Sequence, residues 1–457
     1  MRNILRCRQG SAAFATVIAL IPLIGVLALG GEAGSWYATR QRAQNAADAA
    51  AYSAALRLAC ADAGQTGVTC SDTSSVDYRG KEFAAQNAFC NTGDTSYPGS
   101  LCPATLPSGL SQSVTIAQLS AWNGTSCPSG TNCFVQATVT QAQPAYFAKL
   151  LGLSTVTLGA VGTAQVKQLA KPCVLALSGA ISFHDSAVNV QAPNCGLASN
   201  STGIGFNFQA NPTVNAGSLS TSGSCSGDTT NCNKVLTYAP KVPNPLSALD
   251  TAMTTPSNLT LPSCGSNLTP YTTSTQCANA GPGNGAITTS GVYFFSDLSL
   301  KGSTKALFTC DAINGSNPLC GGVKGVSATI ILLPGATLRM TGNTSFSITA
   351  QATVSLAQLP PRLQSVAGEL SDVAFYDTES GTPKISGNPN ISFAGVFYAP
   401  NMDLSFNGHP TITPLNTIAN CAELFAASIE LVGSPTFSNS GCAAGVVPVS
   451  QLVRMVQ

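Results

Sequence analysis

Three kinds of hydrophobic spacing follow one another along the chain, and each predicts a different element. The first is continuous, because no charged residue interrupts the apolar run from Ala12 to Gly31. At about 1.5 Å per residue a helix of that length covers about 30 Å, the hydrocarbon thickness of a bilayer. The second is helical. Between Trp36 and Ala59 there is neither glycine nor proline, and Ala43, Ala46, Ala47, Ala50, Ala51, Ala54 and Ala55 recur at i, i+3, i+4 spacing opposite Arg40, Arg42, Asn45, Asp48 and Arg57. This predicts one long helix continuing out of the apolar run. An alanine face buries little area but admits a close neighbour, so Ala43, Ala46, Ala47, Ala50, Ala51 and Ala54 are assigned to helix packing in an assembly. Packing on the protein's own domain is the alternative, and the spacing fits both.

The third spacing has a period of two. Residues 32–170 read as the long helix plus a small α+β module: a second helix over Asp77–Phe89, strands over Cys133–Thr140 and Val156–Val166, and between them a short aromatic turn at Tyr146 and Phe147, whose rings are expected in the core. From 171 to 457 a short unit recurs, apolar residues alternating with others before a small turn residue. Examples are Leu338-Arg339-Met340-Thr341-Gly342, Leu404-Ser405-Phe406-Asn407-Gly408 and Ile429-Glu430-Leu431-Val432-Gly433. The turn positions 185, 210, 302, 342, 387, 408 and 433 are separated by 25, 92, 40, 45, 21 and 25 residues, near one, four, two, two, one and one multiples of a unit of about 20–25. Such a period predicts a right-handed parallel β-helix-like domain of stacked coils, with a β-sandwich as the competitor.

Charge and cysteine content place these elements. Only 9% of the 457 residues are charged and the net charge is +1, so no basic stripe exists to bind nucleic acid. Arg2, Arg6 and Arg8 precede the apolar run and Glu32 follows it, which predicts a single span with residues 1–11 in the cytoplasm, 12–31 in the membrane and the rest outside. A cleaved signal peptide is the competing assignment, since Ala28-Leu29-Gly30 and Gly31-Glu32-Ala33 have small residues at cleavage spacing. There are 17 cysteines and no C-x-x-C pair, which points to disulfides in an oxidising compartment. With Cys7 inside, the others form successive close pairs: Cys60 with Cys70, Cys90 with Cys102, Cys127 with Cys133, Cys173 with Cys195, Cys225 with Cys232, Cys264 with Cys277, Cys310 with Cys320, and Cys421 with Cys442. The first and second cysteines of 173/195 and 421/442 lie about one repeat apart, as if on adjacent coils.

The N-terminal 60 residues resemble a known family. An arginine-bearing start, an apolar span, Glu32 at its outer end, the pair Trp36-Tyr37 and then Gln44-Asn45-Ala46-Ala47-Asp48-Ala49-Ala50-Ala51 are similar to the N-terminal signature of TadE/TadG-like proteins of Flp (tight adherence) pilus assembly. The resemblance implies a bacterial component anchored in the inner membrane, with its bulk in the periplasm or at the cell surface, whose partners are other pilus-assembly proteins and copies of itself. Ala15 stands at the fifth position after Gly10, where pilins of the system carry glutamate, and Asp72-Thr73-Ser74-Ser75-Val76 departs from the Asp-x-Ser-x-Ser site of members with a von Willebrand A domain.

Catalytic chemistry has few candidates. His184 and His409 sit beside turns, where a solvated polar residue is the simpler explanation, and Asp372, Asp377 and Glu379 fall in one loop. No G-x-S-x-G, H-E-x-x-H, Walker or calcium nonapeptide string occurs, and no cofactor or metal is expected. Tyr293-Phe294-Phe295 and Val396-Phe397-Tyr398 are expected to pack inward. The sequence thus predicts a non-catalytic component of pilus assembly or surface adherence. The alternatives are a β-helical polysaccharide hydrolase or lyase, recognised by carboxylates clustered on one exposed face, and a secreted adhesin without a pilus role.

Overall fold

The structure, a computed structural model, describes residues 8–64, 70–91, 96–103, 105–128, 130–254, 259–265, 267–310, 317–415, 422–439 and 451–456. The chain forms two units, one of residues 1–168 with 451–457 and one of residues 169–450. A long apolar helix is thus followed by a mostly β body, and the C-terminal strand, placed by its position in the repetitive region 171–457, instead belongs to the first unit.

In the first unit, helix α1 (Arg8–Gly64) is unbroken through Pro22. Helix α2 (Val76–Gln86) starts where the Ser75 side chain accepts the Tyr78 N–H at 3.0 Å, and it ends before Asn87 rather than at Phe89. Strands β1 (Ser111–Leu119), β2 (Phe134–Pro144), β3 (Thr155–Gln168) and β4 (Gln451–Met455) form an antiparallel sheet in that order. β1 has no counterpart among the strands expected from the sequence. Ala46, Ala47, Ala50, Ala51 and Ala54 are fully buried with Val135, Ala137, Val139 and Ala164 of the sheet. Small residues face each other on both sides: a Cβ on Gly162 would lie 2.7 Å from the carbonyl of Ala47. Helix backbone therefore approaches strand backbone directly, and little but alanine fits the seam.

The second unit is built of short parallel strands in three ladders. One rung consists of Ala328–Leu332, Leu338–Gly342 and Ser345–Thr349, and the next of Val373–Tyr376, Lys384–Gly387 and the beginning of Asn390–Gly408. Strands of the first ladder, such as Gly291–Phe295, Ala328–Leu332 and Pro172–Ala176, are buried at every position. They read as unbroken apolar runs because both faces are covered. Those of the second ladder alternate, as in Leu338–Gly342, and this ladder is the one whose repeat is visible in the sequence. Phe183, Phe206, Phe208, Phe295, Phe308, Phe346 and Phe393 fill the interior between the ladders.

The repeat ends in a glycine ladder. Gly302, Gly342, Gly387, Gly408 and Gly433 stand beside one another on successive rungs, all with positive φ from 67° to 93°. A Cβ on Gly408 would lie 2.5 Å from the carbonyl oxygen of Gly387, so both the conformation and the space exclude a side chain. This corrects the period read from the sequence. Gly302 and Gly342, and likewise Gly342 and Gly387, are immediate neighbours, so separations of 40 and 45 residues are single rungs with long excursions, not two rungs each.

The gap from 210 to 302 has a different cause: the order of rungs is not the order of the chain. The unit begins in the middle of the stack, where Val174 lies beside Leu424 and Ile181 beside Ile429. Rungs continue from there to Val235–Leu236 at one end. The chain then returns along the outside of the first ladder, where Val242 exchanges hydrogen bonds with Asn200 at 2.8 Å, Tyr376 donates to the Leu249 carbonyl, and Tyr271 donates its N–H to Val292 at 2.8 Å. Rungs from Gly285 onward fill the interval back to the start. Starting in the middle brings Asn439, late in the unit, near its beginning: Asn439 bonds Cys195, which is bridged to Cys173. Gln168 of β3 pairs directly with Gln451 of β4, so the chain leaves and re-enters the first unit at one place.

Candidate functional site

The most specific polar arrangement in the first unit lies where the apolar stretch of α1 ends. Glu32, 8% exposed, accepts the backbone N–H groups of Tyr146 at 2.6 Å, Phe147 at 3.0 Å and Ala148 at 2.8 Å. Pro144 ends β2 and a 3-10 turn covers Ala148–Leu151, so these amides have no strand partner and converge on one carboxylate. The sequence marks Glu32 as the acidic residue at the outer end of the run, but its partners lie more than a hundred residues away and carry no signal of their own. The same clamp explains a correction. Tyr146 and Phe147 do not pack in the core; they are 74% and 48% exposed, because their amides face Glu32 and their rings point outward.

The alanine face is also placed differently from its assignment to partners. Ala43, Ala46, Ala47, Ala50, Ala51 and Ala54 are all 0% exposed within the first unit, so the chain's own sheet, together with α2 beside Ala54, covers them. The side of α1 left free carries Gln41, Arg42, Asn45, Tyr52 and Leu56.

Beyond that seam a polar knot joins the two helices. Arg79 binds Asp72 through Nε at 2.8 Å and Nη2 at 3.1 Å and reaches Glu82 at 2.6 Å, while Arg57 donates to the Ser74 carbonyl. The Arg79 hydrogen bonds, aided by the Ser74 N–H, hold the Asp72 carboxyl down to about 2. Asp72 therefore serves as an ion-pair partner. Cys60 and Cys70 bridge the segment next to it, with Cα atoms 5.3 Å apart.

Six further disulfides join described residues: Cys90–Cys102, Cys127–Cys133, Cys173–Cys195, Cys225–Cys232, Cys264–Cys277 and Cys310–Cys320. Cys173 and Cys195 lie on adjacent rungs, 5.6 Å apart at Cα. Cys7, Cys421 and Cys442 lie outside the described residues.

Asp372, Asp377 and Glu379 do not share one loop: Asp372 precedes the strand Val373–Tyr376, and Asp377 and Glu379 follow it. Asp377 is 1% exposed, and its Oδ1 accepts the Glu379 N–H at 2.9 Å while its Oδ2 has no partner. Burial, with the charge of Glu379 adding to it against the Glu379 N–H, pushes the Asp377 carboxyl up to about 7. Glu379 accepts the Gly335 N–H at 3.1 Å. Burial likewise raises Asp372, which sits at φ 61°. The histidines are tied to neighbouring rungs: His184 lies 2.7 Å from Glu430, and His409 bonds Ser434. Tyr293, Phe294, Phe295, Val396, Phe397 and Tyr398 are buried.

Residues 10–57 match the TadE/G-like Flp pilus-assembly family model. That stretch holds most of α1: the apolar run, Glu32 and the whole alanine face through Ala55. No curated protein and no solved structure matches the chain.

Proposed function

We propose that the protein is a membrane-anchored, non-catalytic component of Flp pilus assembly, held in the inner membrane by residues 12–31 with the N-terminus inside. The observation that carries this is the coincidence of the family match with the apolar helix and its continuation over the sheet. Among the described residues one candidate span occurs, beginning at Thr16, and its apolar window is almost wholly exposed, as a helix surrounded by lipid would be. Other pilus-assembly proteins would be met through the span and the free side of α1 rather than through the alanines, which the sheet already covers.

The three ladders of the second unit are read here as a parallel β-helix, a rigid body held outside the membrane for display or adhesion. Its stacked glycines and aromatic interior support that reading. The pairing of Cys421 with Cys442 expected from the sequence is checked by non-reducing peptide mapping. For the function, the protein is removed from cells that build Flp pili. Loss or shortening of pili, restored by the full chain but not by one lacking residues 12–31, is the expected result. Normal pili without the protein would overturn the proposal.

A further inference from the structure

The segment 145–153 exposes apolar side chains where a water-facing loop would carry polar ones. Tyr146 is 74% exposed, Phe147 48%, Leu150 87% and Leu153 51%. These side chains do not hang from a slack loop. The Leu150 N–H bonds the Phe147 carbonyl at 3.1 Å, that of Gly152 bonds Lys149 at 3.0 Å and that of Leu153 bonds Ala148 at 3.1 Å, while Glu32 holds the three preceding amides. These bonds hold the backbone in place, and the side chains are displayed.

Their position names what they meet. Glu32 follows the apolar run ending at Gly31 by one residue, so a loop bonded to its carboxylate lies level with the point where α1 leaves the hydrocarbon. That depth is the interfacial layer, where tyrosine, phenylalanine and leucine bury their apolar parts and a lysine reaches lipid phosphates; exposed Lys149 lies among them. A carboxylate at this depth is costly unless paired, and three N–H donors pair it. We propose that residues 145–153 form a second, non-spanning membrane contact, a loop seated in the outer leaflet's headgroup layer and fixed to the span by Glu32. With the span alone, the first unit is free to swing about one helix; with the loop seated as well, its orientation on the bilayer is set.

The inference rests on the spanning assignment, and the test separates the two. Full-length protein carrying Cys7→Ser is given one added cysteine, by Leu150→Cys, Leu23→Cys or Thr125→Cys, labelled with an environment-sensitive fluorophore, and reconstituted into vesicles of phosphatidylcholine and phosphatidylglycerol. Thr125 is exposed and lies beyond the opposite end of β2 from the loop. The expected result is a blue shift and quenching at position 150 by lipids with a nitroxide near the headgroup, quenching at position 23 by a nitroxide deep in the acyl chain, and neither at position 125. Quenching at 23 with none at 150, or with 125 quenched equally, overturns the loop contact and leaves the span standing. No quenching at 23 overturns the span, and the loop proposal with it.

Discussion

The first unit packs alanine against alanine and valine, whereas the second packs phenylalanine against leucine and isoleucine. Both are tightly filled, but different things set the spacing. In the first, a helix lies on a sheet with backbone close to backbone, so the smallest side chains decide the fit. In the second, the distance between rungs is set by hydrogen bonds between parallel strands, and large rings fill the interior that the three ladders enclose. Close backbone approach occurs in both units but at different places: where α1 crosses β3 at Ala47 and Gly162 in one, and at glycines on successive rungs in the other, both in the stacked turns and within strands at Gly196, Gly217 and Gly395.

The largest effect is expected at the stacked glycine turns. Gly408→Val places a branched side chain at φ 93° against the Gly387 carbonyl and is expected to destabilise the second unit by about 4–5 kcal/mol, read by urea unfolding. An unchanged midpoint would mean that the stacked turns do not constrain the rungs.

Asp377 gives the next largest effect. Its carboxyl is held at about 7 in the folded protein against an ordinary value of 3.8, so the folded state keeps a proton that the unfolded chain has released. The stabilisation is fully present below about pH 4 and is lost as pH rises through about 7. The second unit should therefore be less stable at pH 8 than at pH 4 by about 2–4 kcal/mol from this group. Asp377→Asn should remove most of that pH dependence, and an identical pH profile in the variant would refute the assignment.

In the first unit, Ala50→Leu inserts volume where the sheet leaves none, with an expected loss of about 2–3 kcal/mol in thermal or urea unfolding. The same variant discriminates between the two roles of the face: full stability with failed pilus assembly would return the alanines to partner binding. Glu32→Ala has the smallest and most local effect. Hydrogen exchange at Tyr146, Phe147 and Ala148 should rise by an amount corresponding to about 1–2 kcal/mol, with the rest of the sheet unchanged.

Much of this was legible in the residues. Alternation exposed the second ladder because its outward side meets solvent, and the apolar run and the alanine spacing exposed α1 because a helix repeats its environment every few residues. The first ladder was harder to read. With the returning segment over its outer face, strands such as Gly291–Phe295 carry no alternation and resemble any buried run. The rung length was misread because excursions between strands vary, and neighbouring glycines come to be separated by anything from 21 to 45 residues.

By itself the sequence determined local periodicity, the apolar helix and its acidic end, and the glycine-terminated strands, since each depends on residues close in the chain. Distant contacts in the folded chain settled that the alanine face is covered by the chain's own elements, that Glu32 gathers the amides of Tyr146–Ala148, and that the second unit begins in the middle of its stack. Those outcomes depend on which distant surfaces meet. A face of small residues, a lone carboxylate or an apolar strand is compatible with several neighbours, and the free energy that selects among them comes from burying all the surfaces at once.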